Sequence, residues 1–492
     1  MKKIAFYLGS LCLSLGLSSC NDWLDIEPKG KIILTTAEEY GQLFDNVSYI
    51  QYPLTDISFL DDEVWVNTQV LVNGWNSMNL STANILYNED YDRSENAGGN
   101  AGSLGSTFFQ GMYERITKVA NTIIYNAGDG QIKGSSAEIT RLVAQAKAYR
   151  AFAYFALINM YAKPYNAETA ATDGGVPIRT DAFVEVQPEP AKSSVADVYA
   201  LMEKDLSEAI PDLPEAATTI YRFNKAAGYA LKAKIHLFKK EFDACIAAAE
   251  ESYKLNHQTY DLTARIDMVK HYPEPAIYAT GEENLMFATS STTYFLLHPD
   301  LIALFRKGLT DYGQSEDVYD MRLGLYQQPP KAVKDYQVTL QYMPEALQYA
   351  TNSVGFRTTE VMLMLAECYA RQGNNDKVKE YMLPYLTSRY AHYDHSKLQI
   401  PGDVTDAVKF VLNERRKELT MGYNRFFDLR RLNTEPEYRT EPVRTIPQDT
   451  SVTPGIPQDT YTLEYNSPLY VLPFPTRVLL NDPRLESNHM ND

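Results

Sequence analysis

Two pairs of helix-forming stretches, each pair broken by a tight polar turn, constrain this chain more than any other feature. Residues 226 to 238 and 242 to 255 flank Lys239-Lys240-Glu241, and the second member sets Phe242, Cys245, Ile246, Ala249 and Tyr253 along one face. Residues 358 to 372 and 375 to 387 flank Gly373-Asn374, with Leu365, Ala366, Tyr369, Asp376 and Val378 around the turn. Apolar residues three and four apart define a helix face that must be covered. Small residues on such a face let two helices cross closely. The predicted architecture is therefore mostly α, with helical hairpins as scaffold.

A longer helix is predicted over residues 136 to 161. It opens on the capping-box pattern Ser135-Ser136-Ala137-Glu138 and carries Leu142, Ala146, Tyr149, Ala153 and Ala156 at spacings of three and four. Another follows Ser194-Val195-Ala196-Asp197 and runs through Leu201, Leu206 and Ile210 to a stop at Pro211. The pair at 358 to 387 is similar to a tetratricopeptide hairpin, but such units are few and degenerate here. They are read as hairpins packed in a globule, not as an open solenoid. Three stretches differ in character. Residues 52 to 108 hold Trp65, Trp75, many Asn and a Gly-rich tract from Gly98 to Gly105. Residues 256 to 345 mix aromatic, Pro and polar residues without a steady period. Residues 434 to 470 repeat Ile-Pro-Gln-Asp-Thr at 446 to 450 and 456 to 460, the mark of a surface loop or hairpin.

The first residues are Met1-Lys2-Lys3, an apolar run from Ile4 to Leu17, then Leu17-Ser18-Ser19-Cys20. A charged start, a short apolar core and small residues before a cysteine form the layout of a bacterial lipoprotein signal, in which residues 1–19 are removed and Cys20 is lipidated. An apolar core of about fourteen residues is too short to span a bilayer comfortably. The acidic stretch from Asn21 to Lys29 resembles the cue that sends some Gram-negative lipoproteins to the outer face of the outer membrane. Net charge is -17 over 492 residues, and losing Lys2 and Lys3 with the signal brings it to -19. Such an acidic body argues against nucleic acid as partner, because phosphate binding needs a basic face. With 45% hydrophobic and 22% charged residues, the chain suits one large or two medium domains. Of its four cysteines, Cys12 leaves with the signal and Cys20 is lipidated, so only Cys245 and Cys368 could pair; each sits in a helical, alanine-rich stretch, where free cysteine behaves as a small buried apolar residue, which is the favoured reading over a disulfide. No disulfide scaffold is implied.

No catalytic signature is present: the chain lacks Gly-x-Ser-x-Gly, a phosphate-cradling Gly-rich loop before a helix, His-Glu-x-x-His and Cys-x-x-Cys. The best metal candidate, His392-Tyr393-Asp394-His395, reads more naturally as a polar turn after a hairpin. The chain carries 36 Tyr, 19 Phe and 3 Trp, and flat rings stack on the apolar faces of sugars while Asn, Asp and Arg bind hydroxyls. Tyr149, Tyr161 and Tyr253 lie at helical spacing and are read as core. Trp65, Trp75, Tyr294 and Phe295 lie in irregular segments, where binding residues concentrate.

The mature start Cys20-Asn21-Asp22-Trp23-Leu24-Asp25 through Pro28 is similar to that of the SusD/RagB family of outer-membrane nutrient-binding lipoproteins. So are Tyr113, Ile116, Ala120 and Asn121; the aromatic helix from Arg150 to Tyr161 followed by Gly175-Val176-Pro177; and Arg357, Glu360, Leu363, Ala366 and Glu367. The most specific match is Glu414-Arg415-Arg416 with Glu418-Leu419, Gly422, Arg425, Asp428-Leu429 and Arg431. Leu472-Pro473-Phe474-Pro475 and Asn481-Asp482-Pro483 resemble the closing elements, although Met421 and Glu486-Ser487-Asn488 depart from the usual pattern. The charged motif is read as an internal ion-pair lattice, with Glu414 and Glu418 one turn apart and Arg425 and Asp428 at i, i+3.

The resemblance implies a SusD-like fold: a mostly α body whose tetratricopeptide-like hairpins pack against an irregular ligand-binding half with a few short strands. The expected layout is a signal peptide over 1–19 and a single domain over 20–492. Within it, 20–35 is the lipid tether, 110–255 and 356–390 the main scaffold, 52–108 and 256–345 the ligand-binding segments, and 410–492 the C-terminal region. Lipid-anchored through Cys20 and facing the cell exterior, such a protein sits over a SusC-like TonB-dependent barrel and captures oligosaccharides, or peptides in RagB-like branches. It has no catalytic residue, and no cofactor is expected, although a bound calcium ion is compatible. The resemblance directs attention to Trp65, Trp75, Asn79, Tyr294, Phe295 and Tyr319 as ligand contacts. A lipoprotein hydrolase and a lid without affinity of its own are the readings from other classes.

Overall fold

The computed structural model describes residues 33–53, 61–65, 106–182, 192–264, 266–267, 272–273, 281–291, 296–325, 352, 354–420, 422–445, 460–482, 485 and 488. Helix α1, Ser106–Glu114, continues through a wider, π-type winding at Arg115–Asn121 into Thr122–Gly128. Such a winding brings positions five apart onto one face. Every residue of it except Lys118 is buried. The Arg115 guanidinium donates to the carbonyls of Gly111, Ser48 and Tyr49, which ties this winding to the N-terminal segment.

Helix α2, Ser136–Tyr161, starts on the predicted capping box: Ser135 Oγ accepts from the Glu138 amide and the Glu138 carboxylate accepts from the Ser135 amide. A cap of this kind contributes about 1 kcal/mol. From Ala148 to Tyr161 every residue is buried, so α2 is the central helix of the body, covered on all sides. Its Arg150 makes a two-pronged bond to Asp205 (2.7 and 2.8 Å) and donates to Asn121 Oδ1 at 2.9 Å. Asp205 belongs to α3, Val195–Ala209, which is capped by Ser194 and Asp197 and packs along α2.

Helices α4, Lys225–Phe238, and α5, Phe242–Leu255, form the first hairpin with nearly the predicted limits. The turn between them places Lys240 at φ +62°, a left-handed conformation that costs a lysine about 1–2 kcal/mol. Helix α6, Pro299–Lys307, lies within the stretch read as aperiodic. At nine residues, started by His298 and Pro299, it is too short to establish a period. Helices α7, Thr358–Arg371, and α8, Asn375–Arg389, form the second hairpin. As predicted, Gly-Asn makes its turn: Gly373 adopts φ +71° and Asn374 Oδ1 accepts from the Lys377 amide. Helices α9, Val404–Glu418, and α10, Asn424–Leu432, carry the charged C-terminal motif. α5 packs on α7, and α7 packs on both α8 and α9.

Sheets are minimal; each one among the described residues has two strands. β1, Asn284–Met286, and β2, Tyr319–Asp320, belong to the irregular segment, whereas β3, Phe356–Arg357, and β4, Tyr390–Ala391, flank helices. β1 pairs with β3 and β2 with β4, both antiparallel. The β1–β3 crossing requires glycine at 355, where a Cβ would meet the Met286 carbonyl oxygen at 2.1 Å. Two further ladders join the irregular segments to each other. Gln51–Pro53 runs parallel to Thr289–Ser291, and Val64–Trp65 runs antiparallel to Leu296–Leu297. Val443–Thr445 pairs with Thr460–Thr462, in keeping with a hairpin in 434–470; most of the Ile-Pro-Gln-Asp-Thr repeat lies outside the described residues. Among the described residues no helix is long and apolar enough to cross a membrane.

Candidate ligand-binding site

The loops that could meet a ligand are rooted in a charged interior built by α7 to α10. Glu418 is the hub. Its carboxylate accepts from Arg389 through two bonds of 2.9 Å, from Arg357 at 2.6 Å, from Thr359 at 3.0 Å and from Arg322 at 3.3 Å. Arg389 also reaches Glu283 at 2.7 Å, and Arg322 binds Asp320 through two bonds and Glu414 through one. A second part links Lys234 to Glu360 (2.8 Å), Glu360 to Arg415 (3.2 Å), Arg415 to Asp428 (2.7 Å), Asp428 to Arg431 (2.7 Å) and Arg431 to Glu367 (2.6 Å).

The lattice predicted from the motif is thus present, with one correction. Arg425 does not pair with Asp428 three residues on. It turns to Asp62 in a bidentate bond of 2.6 and 2.7 Å, 363 positions away, while Asp428 is taken by Arg415 and Arg431. Side chains three apart on a helix are neighbours, but a fork of guanidinium donors is better matched by a carboxylate facing it head-on.

Each of these carboxylates is held by at least one cation. Burial alone would raise Asp428, yet Arg415 and Arg431 overcome it and hold its carboxyl at about 2, below its ordinary 3.8. Glu360, Glu367 and Glu418 are likewise lowered despite burial, chiefly by Lys234, Arg431 and Arg389 respectively. A carboxyl lowered in the folded state binds fewer protons than in the unfolded chain, so its stabilisation is full above the unfolded value and fades as pH falls through the folded one. Asp428 alone is expected to contribute about 2 kcal/mol at neutral pH, lost as pH drops from about 4 to about 2. Urea midpoints measured across that range should fall steeply, and Asp428→Asn should flatten the slope. A parallel fall in both proteins would count against the assignment.

Four lattice members enter from the irregular segments: Asp62, Glu283, Asp320 and Arg322. Each fixes the root of a loop onto the helices. Around Asp62, the Glu63 carbonyl accepts from the His298 amide at 2.7 Å, just before α6, and so adds to the two ladders that join the irregular segments.

Among the residues singled out in the sequence, Trp65 lies on the short strand opposite Leu296. Cys20, Trp75, Asn79, Tyr294 and Phe295 lie outside the described residues. Tyr319 is on a separate ladder, and strand alternation places it outward (42% exposed) while Asp320 turns inward to Arg322 (3% exposed). Its ring centroid lies 5.7 Å from that of His392, at an interplanar angle of 42°. His392 follows β4 in a left-handed conformation, φ +60°. The sequence marks His392 only as part of a metal candidate. His395 of that candidate is engaged by Thr387 Oγ1 at 3.0 Å. Among the described residues, the grouping within reach of one ion is instead Glu203, His236 and Glu241, and the Lys239 ammonium stands there, 2.5 Å from Glu203 and 2.8 Å from Glu241.

Comparison with known proteins places this architecture. Residues 326–490 match the SusD family, and residues 22–237 match a SusD-like family described as starch-binding and associating with the outer membrane. SusD-like protein P38 of Formosa agariphila is 23% identical over 378 residues, covering 64% of this chain and 71% of the relative. The fold is similar to that of a SusD superfamily protein from Bacteroides thetaiotaomicron, with a TM-score of 0.64 and 17% identity over 92% of this chain and 99% of that one. It is also similar to a SusD-like carbohydrate binding protein from Bacteroides vulgatus, with a TM-score of 0.61 and 18% identity over 93% and 99%. Stacked hairpins clamped to irregular segments form a SusD-type fold. The chain belongs to the SusD family.

Proposed function

We propose that this protein is a non-enzymatic lipoprotein that captures oligosaccharides or polysaccharide fragments at the outer face of the outer membrane and passes them to a SusC-like TonB-dependent transporter. In this reading one domain spans 20–492, Cys20 carries the lipid, and 52–108 and 256–345 contact the ligand through Trp65, Trp75, Asn79, Tyr294, Phe295 and Tyr319. The observation that carries the reading is Tyr319, an exposed ring beside a second ring, on a strand whose other residue is locked into the buried lattice. A ring held rigidly by its backbone loses little freedom when a sugar stacks on it, which is the preorganisation that binding rewards. The family's description as starch-binding and the carbohydrate binding neighbour support the ligand class. A net charge of -17 favours neutral over strongly anionic glycans.

The test is affinity electrophoresis of the chain lacking residues 1–20 on neutral, anionic and fructan polysaccharides, beside Tyr319→Ala, Trp65→Ala and Trp75→Ala. Retardation without product release is expected, weakened about tenfold or more in Tyr319→Ala, which corresponds to about 1.4 kcal/mol. Failure of every glycan to retard the protein, with binding to peptides, would replace the ligand class by the RagB-like one.

A further inference from the structure

We propose that Cys245 and Cys368 form a modification site, at which a disulfide oxidant closes an S–S cross-link between the two helical hairpins. Cys245 is on α5 and Cys368 on α7, both reduced and both 0% exposed. The two helices pack directly on each other. Their seam is fixed by two cross-helix hydrogen bonds: Gln372 Nε2 donates to Asp243 Oδ1 at 2.7 Å and Tyr369 Oη donates to Glu250 Oε1 at 2.8 Å. Asp243 and Gln372 lie within about one turn of the cysteines on their own helices, and Tyr369 is the neighbour of Cys368. Ala248 and Ala249 on α5 are buried in the same core as both cysteines, and their small side chains suit a close helix approach. The Cys245 side chain lies against the Cys368 thiol and, with burial, pushes it well up from its ordinary value.

Two buried thiols have a bland explanation, since free cysteine packs as a small apolar side chain. What sets this pair apart is that the two belong to different hairpins and stand beside the hydrogen bonds that fix the seam between them. The reaction needs no group from the protein beyond the two thiols. One thiolate attacks a low-molecular-weight disulfide and expels one thiol; the second thiolate attacks the mixed disulfide and expels the other. Two protein thiols and one external disulfide thus become one protein disulfide and two external thiols, with two electrons passed to the oxidant. A raised thiol holds little thiolate, so the closed fold reacts slowly and the bond forms while the chain folds or opens. Compartments outside the cytoplasm supply such oxidants; this part rests on the export proposed above, whereas the chemistry does not.

The test therefore works in solution. The chain lacking residues 1–20, in which Cys245 and Cys368 are the remaining thiols, is refolded from urea in oxidised and reduced glutathione, then denatured and labelled with a maleimide. The expected result is no label, a mass lower by two hydrogens, and a higher urea midpoint that reductant reverses. Cys245→Ser and Cys368→Ser should each end with one thiol, free or carrying glutathione. Two labels, or two glutathione adducts, on wild-type protein with native circular dichroism would overturn the proposal. The same count on never-denatured protein held in oxidised glutathione with sub-denaturing urea decides the matter if refolding fails.

Discussion

Glu418→Ala should remove about 3–5 kcal/mol of folding stability, read from equilibrium urea unfolding. The carboxylate is the shared partner of Arg322, Arg357 and Arg389, and Arg322 and Arg389 are almost wholly buried. Removing it leaves guanidinium groups inside the protein with fewer anions than they need. That desolvation cost, not the lost attraction as such, makes the expected effect large. A protein of ordinary stability has about 5–15 kcal/mol to lose, so this one substitution uses a large share. The reverse change, Arg389→Ala, should act similarly, because Glu283 and Glu418 both lose a donor. A loss below about 1 kcal/mol in both variants would mean that the lattice relaxes or admits water, and the account of a rigid clamp would fail.

Asp62→Ala is expected to act in a different place. Arg425 would lose both acceptors of its bidentate bond and Arg416 one of its two contacts, a penalty again of about 3–5 kcal/mol for a buried pair broken on one side. Asp62 sits on a short stretch that reaches the helical body through these bonds and through the His298 amide. The easier escape is therefore local detachment of that stretch, not global unfolding. Hydrogen exchange should accelerate at the His298 amide while α4 and α5 keep their protection. Glycan retardation should weaken about tenfold or more, since Trp65 follows three residues later. Uniform acceleration across all helices would show that Asp62 supports the whole fold instead of one loop root.

The elements that could be read from sequence are those whose information is local. Ser135 and Glu138, Ser194 and Asp197, and Gly373-Asn374 each set a helix boundary within a few residues, and the structure places those boundaries nearly where they were expected. Helix α6 is local too, but short enough for its pattern to vanish among aromatic and polar neighbours. The wide winding at Arg115–Asn121 depends on contacts with Ser48, Tyr49, Arg179 and Asp181, none of which is near in sequence. The lattice divides along the same line. Its half on α9 and α10 is a dense motif, legible as ion pairs; Asp62, Glu283 and the Asp320–Arg322 pair lie in irregular sequence, and nothing local points from them to partners on distant helices. Arg425 was assigned to Asp428 because sequence offers only near neighbours to choose from. For the site, the outward face of Tyr319 follows from strand alternation once Asp320 is known to face inward, and that inward turn is fixed by Arg322.

Charges sealed inside the molecule have a consequence for what surrounds them. The stretch from Asp62 to α1 begins at an anchored residue, and the ion pairs described for α7 to α10 are made among other parts of the chain, whereas the stretch from Glu283 to Asp320 also sends Leu301 and Phe305 of α6 into the core. Insertions, deletions and replacement between Trp65 and α1 are therefore expected to leave these ion pairs in place. A chain organised this way can acquire a new ligand by exchanging a loop, as a tool handle accepts a different bit.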